Sequence, residues 1–161
     1  MLKQVAWGYV TRDIGNGKEL LIATRCKKDD PLRSGELVIP GGRLEENESY
    51  LDAAIREVYQ ETGIITKFSQ DQLFIGMEPR QFKKDKIFGK IGKGEILMTY
   101  FDSGKNYCGM LVCLDPLDTY KEPKQRKSDA KKPEYISFGE VKERKKEFTP
   151  ACQVLLEIAG F

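Results

Sequence analysis

The segment PGGRLEENESYLDAAIREVYQETGI, from Pro40 to Ile64, constrains the fold more than any other stretch of this chain. Pro40 stops an extended run, and Gly41-Gly42 lets the backbone come close to a partner and expose a carbonyl. The acidic loop Glu45-Glu46-Asn47-Glu48 follows. Ser49 is an N-cap residue with Asp52 three positions on, so a helix is predicted from Ser49 to Thr62. Gly63 stands where a helix commonly ends in a left-handed residue. Successive helical residues turn by about 100°. Leu51, Ala54, Ile55, Val58 and Thr62 then share a broad core-facing side, and Glu57, Gln60 and Glu61 share the face beside it.

Two stacked carboxylates with no partner destabilise a helix by a few tenths of a kcal/mol. One reading is a solvated acidic face. The other is a cation site, because carboxylates and a backbone carbonyl are hard oxygen ligands that suit Mg²⁺ or Mn²⁺. Magnesium usually bridges to substrate phosphates, so this reading carries a substrate class with it. The chain contains no histidine. That excludes Ser-His and Cys-His nucleophile pairs and leaves proton transfer to carboxylate, lysine, tyrosine or metal-bound water.

The remaining chain reads as strands and loops around this helix. Strands are predicted at Lys3–Thr11, Lys18–Thr24, Leu73–Gly76, Glu95–Asp102 and Tyr107–Leu114, with short extended runs at Glu36–Ile39 and Tyr135–Phe138. Asn16-Gly17 marks a hairpin turn, Ser103–Asn106 another, and Asp29–Gly35 a loop. A closing helix runs from Thr149 to Ile158 with Pro150 in its first turn. Strands on both sides of one central helix imply a mixed sheet covered by helices, in a single domain over residues 1–161. Two basic segments, Lys83–Gly94 and Lys121–Lys132, are either mobile solvated loops or a lysine-lined rim that attracts a polyphosphate.

A net charge of +2 gives no argument for nucleic acid. Cys26, Cys108, Cys113 and Cys152 form no C-x-x-C pair and are expected as free thiols, mostly buried. No signal peptide and no membrane-length apolar run is visible, which fits a reducing cytoplasm and no membrane partner.

Gly42, five residues, Glu48, seven residues, then Arg56-Glu57-Val58-Tyr59-Gln60-Glu61-Thr62-Gly63-Ile64 resembles the signature of the Nudix hydrolases, G-x5-E-x7-R-E-U-x-E-E-x-G-U with U a bulky aliphatic residue. The resemblance is strongest from Pro40 to Ile64 and thins after Asp71. It implies an α+β fold, an α/β/α sandwich with a mixed β-sheet flanked by helices. It implies Mg²⁺-dependent hydrolysis (Mn²⁺ in its place) of a pyrophosphate bond in a nucleoside di- or triphosphate, or in a nucleoside diphosphate linked to another group.

On that resemblance Glu57 and Glu61 are catalytic and metal-binding, joined as ligands by the Gly41 carbonyl, Gln60 and Asp129. The resemblance also implies Glu57 as the base toward a bound water, a role that members of the family give to different carboxylates. Arg25 and Glu134 are placed with the substrate, and Asp129 and Glu134 compete for the late acidic ligand that members often supply. Gly42, Glu48, Arg56 and Gly63 are structural, with Glu48 paired to Arg56. The family pattern has glutamate where this chain has Gln60, an oxygen donor without charge. That departure admits weaker binding of one metal, or a catalytically weak or inactive module that binds nucleotide or RNA through its lysine loops. Pro79 loosely matches the ADP-ribose-hydrolysing branch, whereas the short N-terminus matches compact MutT-like members acting on triphosphates. No oligomeric state is implied.

Overall fold

Alternation along two neighbouring strands builds the molecule. β1 (Lys3–Asp13) and β8 (Lys105–Pro116) run parallel, from Lys3 beside Tyr107 to Val10 beside Leu114. Successive side chains point to opposite faces of a strand. Tyr9, Leu111 and Cys113 therefore pack on one side of the sheet, and Ala6, Val10, Val112 and Leu114 on the other. Both faces are apolar, so each needs a helical cover.

The computed structural model describes residues 3–26, 34–69, 87–92, 95–102 and 105–161. Between β1 and β8 the chain runs through β2 (Lys18–Arg25), β3 (Leu37–Val38), β4 (Gly41–Arg43), α1 (Tyr50–Thr62), β5 (Thr66–Phe68), β6 (Ile87–Gly92) and β7 (Glu95–Asp102). After β8 come β9 (Ala130–Ser137), α2 (Phe138–Glu143), a 3₁₀ turn (Lys145–Glu147) and α3 (Pro150–Ile158). The strand order is β3-β2-β1-β8-β7-β6, with β4 on β1, β5 on β8 and β9 on β2. β1–β8 is the parallel pair and the other pairings are antiparallel, so the sheet is mixed.

α1 lays Ala53, Ala54 and Val58 on the Ala6–Val112 face. α2 and α3 cover the other face with Val141, Cys152, Leu155 and Leu156. The result is the expected α/β/α sandwich. α3 is tied to the strand before the site: the Thr149 N–H donates to the Leu37 carbonyl at 3.0 Å, and the Ile39 N–H to Cys152 Sγ at 3.4 Å. Cys113 and Cys152 are buried free thiols, and Cys26 is half-buried. Tyr9 is a buried core side chain, and Trp7 packs partly buried against the same cluster. Among the described residues no helix is long and apolar enough to cross a membrane.

Several expectations need correction. The strand read at Tyr135–Phe138 starts earlier, at Ala130, because its partner β2 is paired as far as Arg25; Phe138 already belongs to α2. Within Lys83–Gly94, residues 87–92 are strand β6, held in register along β7 from Ile87–Tyr100 to Gly92–Glu95. The rest of that segment, the strand expected at Leu73–Gly76, Pro79 and most of the Asp29–Gly35 loop lie outside the described residues. Nor is Lys121–Lys132 a free loop. Its Lys124 N–H donates to the Thr62 carbonyl at 2.8 Å, and its last three residues open β9.

Candidate active site

α1 begins and ends as its sequence predicts. Ser49 Oγ accepts the Asp52 N–H at 3.0 Å, and Gly63 takes φ 75° while its N–H donates to the Tyr59 carbonyl. Glycine reaches that left-handed conformation without a Cβ penalty. The helix is thereby fixed in length, and its rotation follows from Ala54 and Val58, which are completely buried.

That rotation does not leave Glu57 and Glu61 in solvent. They are 7% and 9% exposed, on the side of the helix turned to β4, so the solvated-face reading fails. Gly42 explains how they fit. A Cβ at this position would lie 2.5 Å from the Glu57 carboxyl carbon, so a larger residue would push that carboxylate aside, whereas glycine lets it lie against the strand. Pairing along β4 supplies a further element. The Gly8 N–H donates to the Pro40 carbonyl and the Leu44 N–H to the Gln4 carbonyl, with Gly41 opposite Trp7. The alternation of an antiparallel ladder then turns the N–H and carbonyl of Gly41 away from β1. The N–H donates to Glu61.

Arg56 organises the acidic loop. Its Nε and Nη2 form a two-pronged pair with Glu48 at 2.7 and 2.9 Å, and Nη2 also donates to the Arg43 carbonyl at 2.9 Å. This pairing holds the Glu48 carboxyl below its usual range and the guanidinium above its own. The Glu45 N–H donates to Glu48 at 3.0 Å, which closes the loop. Arg56 Nη1 reaches Glu57 Oε1 at 2.7 Å and Gln60 Oε1 at 3.3 Å. One oxygen of Glu57 and the oxygen of Gln60 are thus engaged by the same guanidinium. The other oxygen of Glu57, Oε2, lies 3.5 Å from Lys127 Nζ.

The Glu61 carboxyl is pushed up to about 8, first by burial and then by the charge of Glu57. Asp129 adds to this rise, while Lys127 and the Gly41 N–H oppose it. A buried carboxylate pair under this strain favours any cation that can bind both oxygens. Two carboxylates with an outward-turned backbone carbonyl match part of a magnesium-type donor set, in which waters or phosphate oxygens commonly fill the remaining positions. Among the described residues no three acidic or thiol side chains form a self-sufficient cage.

The predicted residues thus divide. Gly41, Gly42, Glu48, Arg56, Glu57, Gln60, Glu61 and Gly63 belong to one continuous arrangement, although Gln60 faces Arg56. Asp129 acts on Glu61 through its charge, and its carbonyl accepts the Cys26 N–H at 2.9 Å. Arg25 lies beside Ala130 in the strand pair, next to Asp129. Glu134 is not gathered in: its carboxylate faces Arg144 at 4.0 Å, in a surface ion pair. Sequence reasoning treated Lys127 only as one of several basic loop residues, because its partner is 70 positions away.

Comparison with known proteins agrees with this architecture. A family profile described as NUDIX domain matches residues 2–151. Among solved structures, a Caenorhabditis elegans Ap4A hydrolase in a binary complex is 15% identical, with a TM-score of 0.66 over 99% of this chain and 100% of that one. The NUDIX domain of Shewanella oneidensis NrtR, complexed with ADP ribose, is 14% identical, with a TM-score of 0.62 over 99% of this chain and 86% of that one. MutT from Aliivibrio salmonicida and Vibrio cholerae is represented at 18% identity, TM-score 0.56, over the whole of both chains. At these identities the likeness is one of fold.

Proposed function

We propose, from the premise that this chain belongs to the Nudix family, that it hydrolyses a pyrophosphate bond in a nucleoside di- or triphosphate, or in a nucleoside diphosphate linked to another group. The observation that carries this reading is the pair Glu57 and Glu61, buried one turn apart on α1, with Gly42 against the Glu57 carboxylate and the Gly41 N–H on Glu61. One fold neighbour is an Ap4A hydrolase and another is complexed with ADP ribose, and both compounds contain a phosphate anhydride attached to a nucleoside, which supports the substrate class.

In this reading Glu57 Oε2, Glu61 and the Gly41 carbonyl hold Mg²⁺ or Mn²⁺, with Asp129 as the further acidic group. The bound ion would neutralise phosphate oxygens and lower the pKa of a water. Glu57 and Glu61 also supply the proton acceptors that a chain without histidine needs. Arg56 is a positioning residue. By clamping Glu48, the Arg43 carbonyl and Glu57 Oε1, it turns Oε2 toward the site and keeps the acidic loop against the helix.

The test is turnover of a nucleotide panel, read as phosphate or pyrophosphate release with and without Mg²⁺. Metal-dependent release from at least one anhydride is expected, with Glu57→Gln and Glu61→Gln each lowering kcat about 10²–10⁴-fold while the fold is retained. Turnover unchanged in both variants removes the reading. Gln60, in the grip of Arg56, favours one alternative: a module that binds nucleotide without cleaving it. Tight nucleotide binding with no release from any substrate would select that alternative.

A further inference from the structure

The segment between β8 and β9 is anchored at several points. Near its start, the buried Arg12 donates to the Thr119 carbonyl at 3.2 Å and to Glu122 at 3.0 Å. Further on, the Lys124 N–H binds the Thr62 carbonyl at the end of α1, and the Arg126 guanidinium stacks 4.4 Å over the Tyr59 ring. At its close, Lys127 bridges to Ala130 and the Asp129 carbonyl accepts the Cys26 N–H. The backbone at Lys127 is therefore fixed beside α1, whatever its side chain does.

That side chain ends 3.5 Å from Glu57 Oε2, the oxygen that Arg56 leaves open. Any cation that comes to Glu57 claims the same oxygen. The lysine side chain is 38% exposed and makes one long contact there, and ion pairs of this kind are weak. A divalent ion, with twice the charge, can displace it. The ammonium then remains on a flexible four-carbon stem beside the place where a metal-bound diphosphate has to lie, and lysine binds phosphate as a mobile point charge.

We infer that Lys127 serves two partners in turn: it competes with the divalent cation for Glu57 Oε2, and once displaced it binds the diphosphate of the substrate. The inference rests on the reading of Glu57 as a metal ligand. It sets Lys127 apart from a plain surface ion pair, whose loss would change neither metal nor phosphate binding.

The test uses the full chain, Mn²⁺ as the metal and inorganic pyrophosphate as the anion. Calorimetry measures Mn²⁺ binding alone, then pyrophosphate binding to the Mn²⁺-loaded protein. Lys127→Ala is expected to bind Mn²⁺ roughly three- to fivefold more tightly, because a competitor has gone. The same variant is expected to bind pyrophosphate roughly tenfold or more weakly, the usual loss for a charged hydrogen bond. Lys127→Arg should keep pyrophosphate binding within a few-fold, and Lys124→Ala, on the same loop, should change neither constant. Opposite shifts in the two constants are a signature that general damage to the loop does not give. Mn²⁺ affinity that stays the same or weakens in Lys127→Ala, while the unaltered protein binds Mn²⁺, overturns this inference alone. An unaltered protein that binds no Mn²⁺ removes the metal reading beneath it as well.

Discussion

The two flanks of the central sheet are built by the same local rules and carry opposite contents. α1 and α3 each start at a hydroxyl cap, Ser49 and Thr149, that accepts the N–H three residues on. Each covers one face of β1 and β8. α3 fills its side with Cys152, Leu155 and Leu156, all apolar and all buried. α1 covers its side with the small residues Ala53 and Ala54 and with Val58, then buries Glu57 and Glu61 as well. Buried carboxylates oppose folding unless something charged answers them. A fold that violates its own hydrophobic pattern at one place commonly does so at a functional site. The α3 flank is therefore read as stability, and the α1 flank as chemistry at some cost in stability.

The strongest way to break this contrast is to cut into the α3 flank. Leu155 is completely buried. Leu155→Ala is expected to destabilise the protein by about 2–5 kcal/mol, through lost transfer energy and the cavity left behind. Denaturant unfolding checks this, and Mn²⁺ affinity at a temperature where the variant is folded should stay within about twofold. A large loss of Mn²⁺ affinity would show that the two flanks are energetically coupled.

The two flanks also differed in how far the sequence disclosed them. Both helices were legible to within a residue, because their signals are local: a serine or threonine cap, a proline in the first turn of α3 and Gly63 at the end of α1. The acidic site was legible in composition and spacing, and the Glu48–Arg56 pair was expected and is present. What periodicity did not disclose is that the Glu57 and Glu61 stripe is buried. A helical pattern assigns charge outward, and the stripe is buried because β4, with Gly42 against the Glu57 carboxylate, lies over it. β4 was missed because Gly41-Gly42-Arg43 has no strand propensity and is a strand only through pairing with β1. The start of β9, with Lys131, Lys132 and Pro133, is likewise imposed by its partner β2. α2 was missed although a signal existed: Ser137 and Glu140 have capping-box spacing, and the Glu140 N–H donates to Ser137 Oγ at 3.1 Å. The ties of the basic loop to α1 join residues far apart in sequence, which no local pattern reports.

A smaller effect sharpens the contrast by isolating one charge. The folded-state value for Glu61, about 8, lies above its ordinary 4.5. Between those two values the folded chain binds more protons at this site than the unfolded chain, so the contribution of Glu61 to stability falls as pH rises. It is fully present below about 4.5 and is lost as pH passes through about 8. Other groups titrate in this range too, so the informative quantity is the difference between the protein and Glu61→Gln. In chelator, the variant is expected to gain melting temperature relative to the unaltered protein from pH 5 to pH 8. With saturating Mn²⁺ the difference should shrink or reverse at pH 8, because the cation binds the ionised carboxylate. A constant difference across this range would mean that Glu61 does not feel the burial and the neighbouring Glu57 that the geometry gives it.

The smallest effect asks whether the flanks differ at all where they look alike. Ser49→Ala and Thr149→Ala each remove a hydroxyl that accepts one N–H at the start of a helix, at 3.0 and 3.4 Å. Each should cost about 1 kcal/mol in unfolding free energy. Near-equal losses would place the whole difference between the helices in the faces they bury. The two variants should still part in one respect. Ser49 directly follows Glu48, the partner of Arg56, so fraying α1 there loosens the clamp that aims Glu57. Ser49→Ala is therefore expected to weaken Mn²⁺ binding by a few-fold, whereas Thr149→Ala, on the far side of the sheet, leaves it unchanged. Equal Mn²⁺ affinity in both variants would mean that the Glu48–Arg56 clamp holds independently of the helix cap beside it.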